Sequence, residues 1–72
     1  MERIKTIKIK DEFIKLGQAI KLAGFVSSGV EAKIEIQNGN VKVNKEVEYQ
    51  RGKKIHPGDI IDFGGQQVKV EN

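Results

Sequence analysis

The sequence predicts an α+β fold in which one strand is followed by two helices and then by a strand-rich half. Leu16, Ile20 and Ala23 repeat at helical spacing and stop at Gly24. Ser28-Gly29-Val30-Glu31 has the form of a capping box, which starts a second helix. From Asn38 onward, short apolar–polar alternations are separated by Asn, Gly and Pro turns, a pattern of ordered hairpins rather than of a flexible tail.

Residues 3–10 read as the first strand, because Ile7 and Ile9 alternate with Lys8 and Lys10. Ile4 falls on the opposite face, which predicts a bulge or burial on both sides. Lys5 and Lys8 suit an edge strand protected from aggregation. Asp11 is placed to cap a helix from Glu12. Gly17 weakens that helix by about 1 kcal/mol relative to alanine, and a start near Leu16 would leave Phe13 and Ile14 extended. Residues 16–23 are helical on either reading.

The capping box predicts the second helix over residues 29–37, closed by Asn38-Gly39. A conflict arises here. Ala32, Ile34 and Ile36 alternate with charged residues, and Ile34 to Val43 around Asn-Gly also reads as a hairpin. The capping box leans towards helix, and local pattern goes no further. Val41–Val43 is the next strand, with a tight turn at Asn44-Lys45 and a return from Val47. Residues 49–54 form an extended basic crossing with Gly52 as its flex point. Pro57-Gly58 sets a turn. Ile60, Ile61 and Phe63 form a strand, Gly64-Gly65 a two-residue hairpin, and Val68 and Val70 the last strand.

Seventy-two residues predict a single domain, residues 1–72, near the lower limit for folding without staples. With no cysteine, neither disulfides nor thiolate metal sites contribute. No apolar run approaches the ~20 residues of a bilayer span, and the first residues lack an apolar signal core, so a cytoplasmic protein is expected. The net charge of +3 is unevenly spread. Residues 1–54 hold 12 of the 13 basic side chains, a distribution that suits a polyanion as well as simple solubility.

The sequence offers no catalytic constellation, and an enzyme is not expected. His56 is the sole histidine and, beside Pro57, reads as a turn residue. Ser27 and Ser28 precede a helix, where capping accounts for them. Asp59 follows a Pro-Gly turn, and Gly64-Gly65 is too short for a phosphate loop. No cofactor or metal is expected.

One long pattern does carry information. Leu16…Ile20-Lys21…Gly24…Ser28…Ala32-Lys33…Ile36…Gly39-Asn40-Val41-Lys42-Val43-Asn44, followed by Pro57-Gly58-Asp59-Ile60, resembles the RNA-binding domain named after ribosomal protein S-four, the alpha-L motif. Leu16-Gly17-Gln18, Ser28-Gly29 and Arg51-Gly52-Lys53 resemble most its small stand-alone YaaA/YbcJ-type members. The resemblance implies two short helices packed on a small, mostly antiparallel sheet, and it decides for helix over residues 29–37. It also implies a non-enzymatic protein that binds structured RNA, ribosomal RNA among the candidates. Many relatives carry arginine after the serine that opens the second helix and a basic-Leu-Asp triplet opening the first. This chain has Gly29 and Lys15-Leu16-Gly17 there. Gly29 either lets backbone N–H groups approach a phosphate or eases a tight turn.

The expected RNA contacts are Lys15, Gln18, Lys21, Ser28, Lys33, Lys42, Asn44, Arg51, Lys53 and Lys54, in a basic groove that neutralises phosphates. Arg51 leads, since a guanidinium matches phosphate in bidentate fashion. Lys33 also pairs with Gln37 at helical spacing, and Lys42 and Asn44 also suit a solvated strand face and a turn. The protein is expected to be a monomer. The alternative is a protein–protein adaptor that adds a strand at the edge of residues 3–10 or at the apolar hairpin around Phe63.

Overall fold

In the computed structural model, which describes residues 4–72, β1 (Lys5–Lys8) and β2 (Ile14–Lys15) precede α1 (Leu16–Leu22) and α2 (Gly29–Gln37). β3 (Val41–Val43), β4 (Glu46–Val47), β5 (Lys54–Ile55), β6 (Ile60–Phe63) and β7 (Gln66–Glu71) follow. Arg3, where the predicted first strand begins, lies outside the described residues.

Five strands form one sheet in the order β1-β7-β6-β3-β4, with β1 parallel to β7 and the other pairs antiparallel. Period-two alternation decides its two faces. Val43 stands opposite Ile61, and Ile61 opposite Val68, so one buried row crosses three strands. Ile7 pairs with Val70 and extends this face, while Ile4 precedes β1 and is exposed, so neither the expected bulge nor burial on both sides occurs: the register from Lys5 to Lys8 is unbroken. Lys42, Asp62 and Gln67 form the matching row on the outer face. Leu16, Ile20, Ala32 and Ile36 close the apolar face from the helical side and belong to the same core. Full burial of each leucine or isoleucine side chain contributes roughly 1.5–3 kcal/mol. Phe25 and Phe63 stack at 5.5 Å on the margin of the core, so the hairpin around Phe63 is not a free apolar surface.

Asp11 caps no helix. The position before α1 is Lys15, which makes no side-chain cap. Residues 14–15 are instead held extended by pairing with β5, and carbonyls from the neighbouring crossing take the first helical amides: Leu16 N–H donates to Lys53 O at 2.9 Å and Gly17 N–H to Arg51 O at 3.1 Å. At the other end Gly24, at φ 82°, closes the helix, with Phe25 N–H returning to Ile20 O and Gly24 N–H to Lys21 O.

Residues 29–37 are helical, as the capping box requires. Ser28 Oγ accepts from Glu31 N–H at 3.1 Å, and the Glu31 carboxylate accepts from Ser27 N–H at 2.6 Å, one residue earlier than in the usual box. Gly39 closes the helix in the same manner as Gly24, with Asn40 N–H reaching Glu35 O. The Ala-Ile-Ile alternation misleads because a helix separates its members. Ala32 and Ile36, four apart, are buried, whereas Ile34 is 51% exposed.

The hairpin turns are those the sequence indicates. Asn44 and Lys45 both have positive φ, 50° and 75°, in the two-residue turn between β3 and β4, and Gly64-Gly65 repeats this between β6 and β7. Lysine at φ 75° has a Cβ penalty that glycine lacks. Lys45→Gly is therefore expected to stabilise the fold by about 0.5 kcal/mol, after its larger unfolded-state entropy is set against the relief. Urea unfolding checks this, and a lowered midpoint at unchanged slope would contradict it.

Candidate nucleic-acid interface

A small second sheet, β2 paired antiparallel with β5, builds the basic surface. Its register sets Lys15 directly opposite Lys54. Like charges so placed repel one another, so the ribbon carries an electrostatic cost that a bound anion would remove. Lys54 Nζ lies 4.9 Å from the centre of the Phe13 ring, a cation–π contact that holds the side chain on this side of the ribbon. Phe13 is thus half-exposed and outside the fully buried core.

Between α1, α2 and the turn at residues 51–52 lies a cleft of about 310 Å³. Lys15, Lys21 and Arg51 line it together with Gln18. Gly17, Gly29, Ala32 and Gly52 supply the remaining wall, which is therefore mostly backbone. Among the described residues no carboxylate lines the cleft. Among the described residues the sole ion pair within 4.0 Å joins His56 and Asp59, so the three cleft cations have no acidic partner at that distance. Gly29 is the first residue of α2, and a Cβ there would meet no atom within 4 Å. Chemically the cleft is a cation-lined recess with one neutral amide, suited to phosphates and without a nucleophile–base pair. No three His, Asp or Glu side chains cluster as a metal site among the described residues.

The other expected contacts lie elsewhere. Ser28 uses its hydroxyl to cap α2, and Lys33 is exposed on that helix without lining the cleft. Lys42 sits on the outer face of the large sheet opposite Asp62, where it borders a separate recess with Lys45. Lys53 faces a recess shared with Glu46 and Glu48. Asn44 makes two side-chain hydrogen bonds within the fold, donating to Asp59 Oδ1 at 3.1 Å and accepting from Ile60 N–H at 3.0 Å. A larger recess of about 720 Å³ on the other side of Lys15 and Gln18 is also lined by Lys8, Lys10, Asp11 and Glu12, so that, unlike the cleft, it has carboxylates among its cations. The structure thus gathers Lys15, Gln18, Lys21 and Arg51 in one cleft, with Lys54 beside Lys15, and distributes the remainder. The Lys15–Lys54 juxtaposition was missed by sequence reasoning, and its one local signal is the apolar–basic dipeptide present in both strands, Ile14-Lys15 and Lys54-Ile55.

No described helix is long and apolar enough to cross a membrane. A family model described as "S4 domain" matches residues 7–71. The chain is 42% identical over 65 residues to the "Probable ribosome maturation protein RlbA" of Bacillus subtilis (strain 168), covering 86% of this chain and 92% of that protein. It is 39% identical over 61 residues to YbcJ of Escherichia coli (strain K12), covering 85% and 87% of the two chains. The solution structure of the Escherichia coli YbcJ superposes with a TM-score of 0.75 at 36% identity, over 100% of this chain and 92% of that one, and is described as revealing an alpha-L motif involved in RNA binding. Helices, sheet and sequence agree, and the chain belongs to the S4 domain family.

Proposed function

We propose that this protein is a non-enzymatic RNA-binding protein that docks structured RNA, ribosomal RNA foremost, on the cleft bordered by Lys15, Lys21 and Arg51. The observation that carries the reading is the meeting of three cations around a recess where, among the described residues, no carboxylate lines the wall and none pairs with them within 4.0 Å. Lys54, opposed to Lys15, widens the positive field at the rim. Phosphate contacts of this kind release counterions and supply affinity with little sequence reading. The ribosome-maturation name of the Bacillus relative and the RNA-binding motif described for YbcJ support RNA as the polyanion and the ribosome as its source.

The arrangement favours folded RNA. Proteins that hold single strands stack bases on aromatic platforms worth about 1–3 kcal/mol per base. Here Phe25 and Phe63 stack on each other, Phe13 lies against Lys54, and Tyr49, although 62% exposed, has its ring beside Gly39. Affinity then comes from charges fixed by the scaffold, which match phosphates held in a fixed array. A ribosomal-RNA hairpin is expected to outcompete an unstructured polypyrimidine of equal length by about tenfold at physiological salt. Equal competition would leave only a generic polyanion surface.

Strand addition has one observation in its favour, because β1 pairs only with β7 and forms an edge of the large sheet. An RNA titration followed by amide chemical shifts separates the readings: cleft residues shift if RNA is the ligand, and none do if the protein is only an adaptor.

A further inference from the structure

Glycine at position 17 is not explained by backbone conformation. Gly17 sits in the first turn of α1, is buried, and lies outside the left-handed region, so its φ permits any residue. Glycine is also a poor helix former. Space is what requires it. A Cβ at this position would lie 2.7 Å from Arg51 Cγ, closer than real Cβ contacts come, and 3.3 Å from Arg51 Cδ, tighter than most. The Arg51 side chain is therefore laid across the helix at the point where α1 has no side chain. Its backbone is tied to the same place, since Gly17 N–H donates to Arg51 O at 3.1 Å. The stem runs on into the cleft that Arg51 shares with Lys15 and Lys21.

We infer that Gly17 is a positioning residue for RNA binding: by leaving out a Cβ it seats the Arg51 side chain against α1 so that the guanidinium is presented to phosphate at the cleft. The inference rests on the cleft being the RNA site. A long, flexible arginine free in solvent loses rotamer entropy on binding, and one held along a helix has already lost much of it. A side chain added at position 17 would displace Arg51 without removing its charge.

The test is a double-mutant cycle of Gly17→Ala and Arg51→Ala, with a ribosomal-RNA hairpin as the probe and the full chain as the protein. Gly17→Ala is expected to weaken binding about fivefold and to lower the log–log salt slope by up to one, a change a merely structural role would not produce. In the Arg51→Ala background the same substitution should change affinity less than twofold. If Gly17→Ala binds as the parent does while Arg51→Ala is weakened, the positioning role is overturned and the cleft stands. If Arg51→Ala itself binds normally, the cleft reading falls and takes the positioning role with it. Thermal unfolding keeps the test decisive where Gly17→Ala folds poorly. Arg51→Ala should then restore stability to the double variant, and failure to do so would show that the Arg51 stem is not what the added Cβ meets.

Discussion

Replacing Lys15, Lys21 and Arg51 together with alanine is expected to weaken binding to a ribosomal-RNA hairpin about a hundredfold while leaving the fold intact. Each side chain is exposed, borders the cleft, and has no carboxylate within 4.0 Å among the described residues. Its charge is therefore unspent in the free protein. A charge-assisted contact is worth about 1 kcal/mol or somewhat more, so three give about 3 kcal/mol, or two powers of ten in affinity. The salt slope should fall by roughly 2–3, at about 0.9 per phosphate contact. Stability should change little, since removing exposed basic residues costs within about 0.5 kcal/mol each and the loss of Lys15 also relieves its repulsion from Lys54. The matched control is Lys42→Ala with Lys45→Ala, which removes two cations from the other recess beside Asp62 and should cost less than threefold. Equal losses per charge removed in the two variants would mean that net charge, not the cleft, determines binding. Arg51, Lys53 and Lys54 look like one basic cluster in the sequence, yet they occupy three surroundings: the cleft, a recess shared with Glu46 and Glu48, and the Phe13 ring.

That contrast shows what a single sequence encodes locally. The bounds of α2 were legible because both of its ends are determined within a few residues. Ser28 and Glu31 close the start, and Gly39 at positive φ closes the finish. The hairpins at Asn44-Lys45 and Gly64-Gly65 were legible for the same reason, as turn geometry selects the residues. The β2–β5 ribbon was not. Each strand has two residues, and the partners are about forty positions apart, so no periodic signal exceeds the noise. The parallel pairing of β1 with β7 joins the two ends of the chain and has no turn to announce it. α1 starts at Leu16 and not after Asp11, because carbonyls of residues 51 and 53, not a side chain, satisfy the helix N-terminus, and nothing near Asp11 in the sequence signals them. The candidate site follows the same rule. Its basic residues could be named one by one, but which of them meet is decided by the ribbon and by the packing of Arg51 on Gly17.

Asn44→Ala is expected to destabilise the fold by about 3–4 kcal/mol without changing the salt slope of RNA binding. Asn44 adopts φ 50°, a conformation that asparagine tolerates and alanine pays about 1–2 kcal/mol to hold. Its backbone N–H donates to Ile60 O at 2.8 Å, and its side chain completes the connection to the next segment. Oδ1 accepts from Ile60 N–H at 3.0 Å, and Nδ2 donates to Asp59 Oδ1 at 3.1 Å. The second Asp59 oxygen accepts from His56 N–H at 2.8 Å, across the Pro57-Gly58 turn in which Gly58 has φ 99°. One asparagine thus ties the β3–β4 turn to the turn that precedes β6, so that Val-Lys-Val-Asn and Pro-Gly-Asp act as one unit in this fold. Alanine leaves the Ile60 amide without its acceptor and frees Asp59 from its donor, at about 1 kcal/mol for each lost bond. A 72-residue domain has roughly 4–10 kcal/mol in total, so the loss is a large share of it. Asn44→Gly separates the two contributions, because glycine restores the backbone freedom but not the hydrogen bonds, and should recover about 1 kcal/mol. The measurements are urea unfolding for each variant and hairpin titration below the midpoint, where the folded fraction is known. If Asn44→Ala keeps its stability and loses affinity and slope instead, the side chain serves the RNA and the turn holds without it.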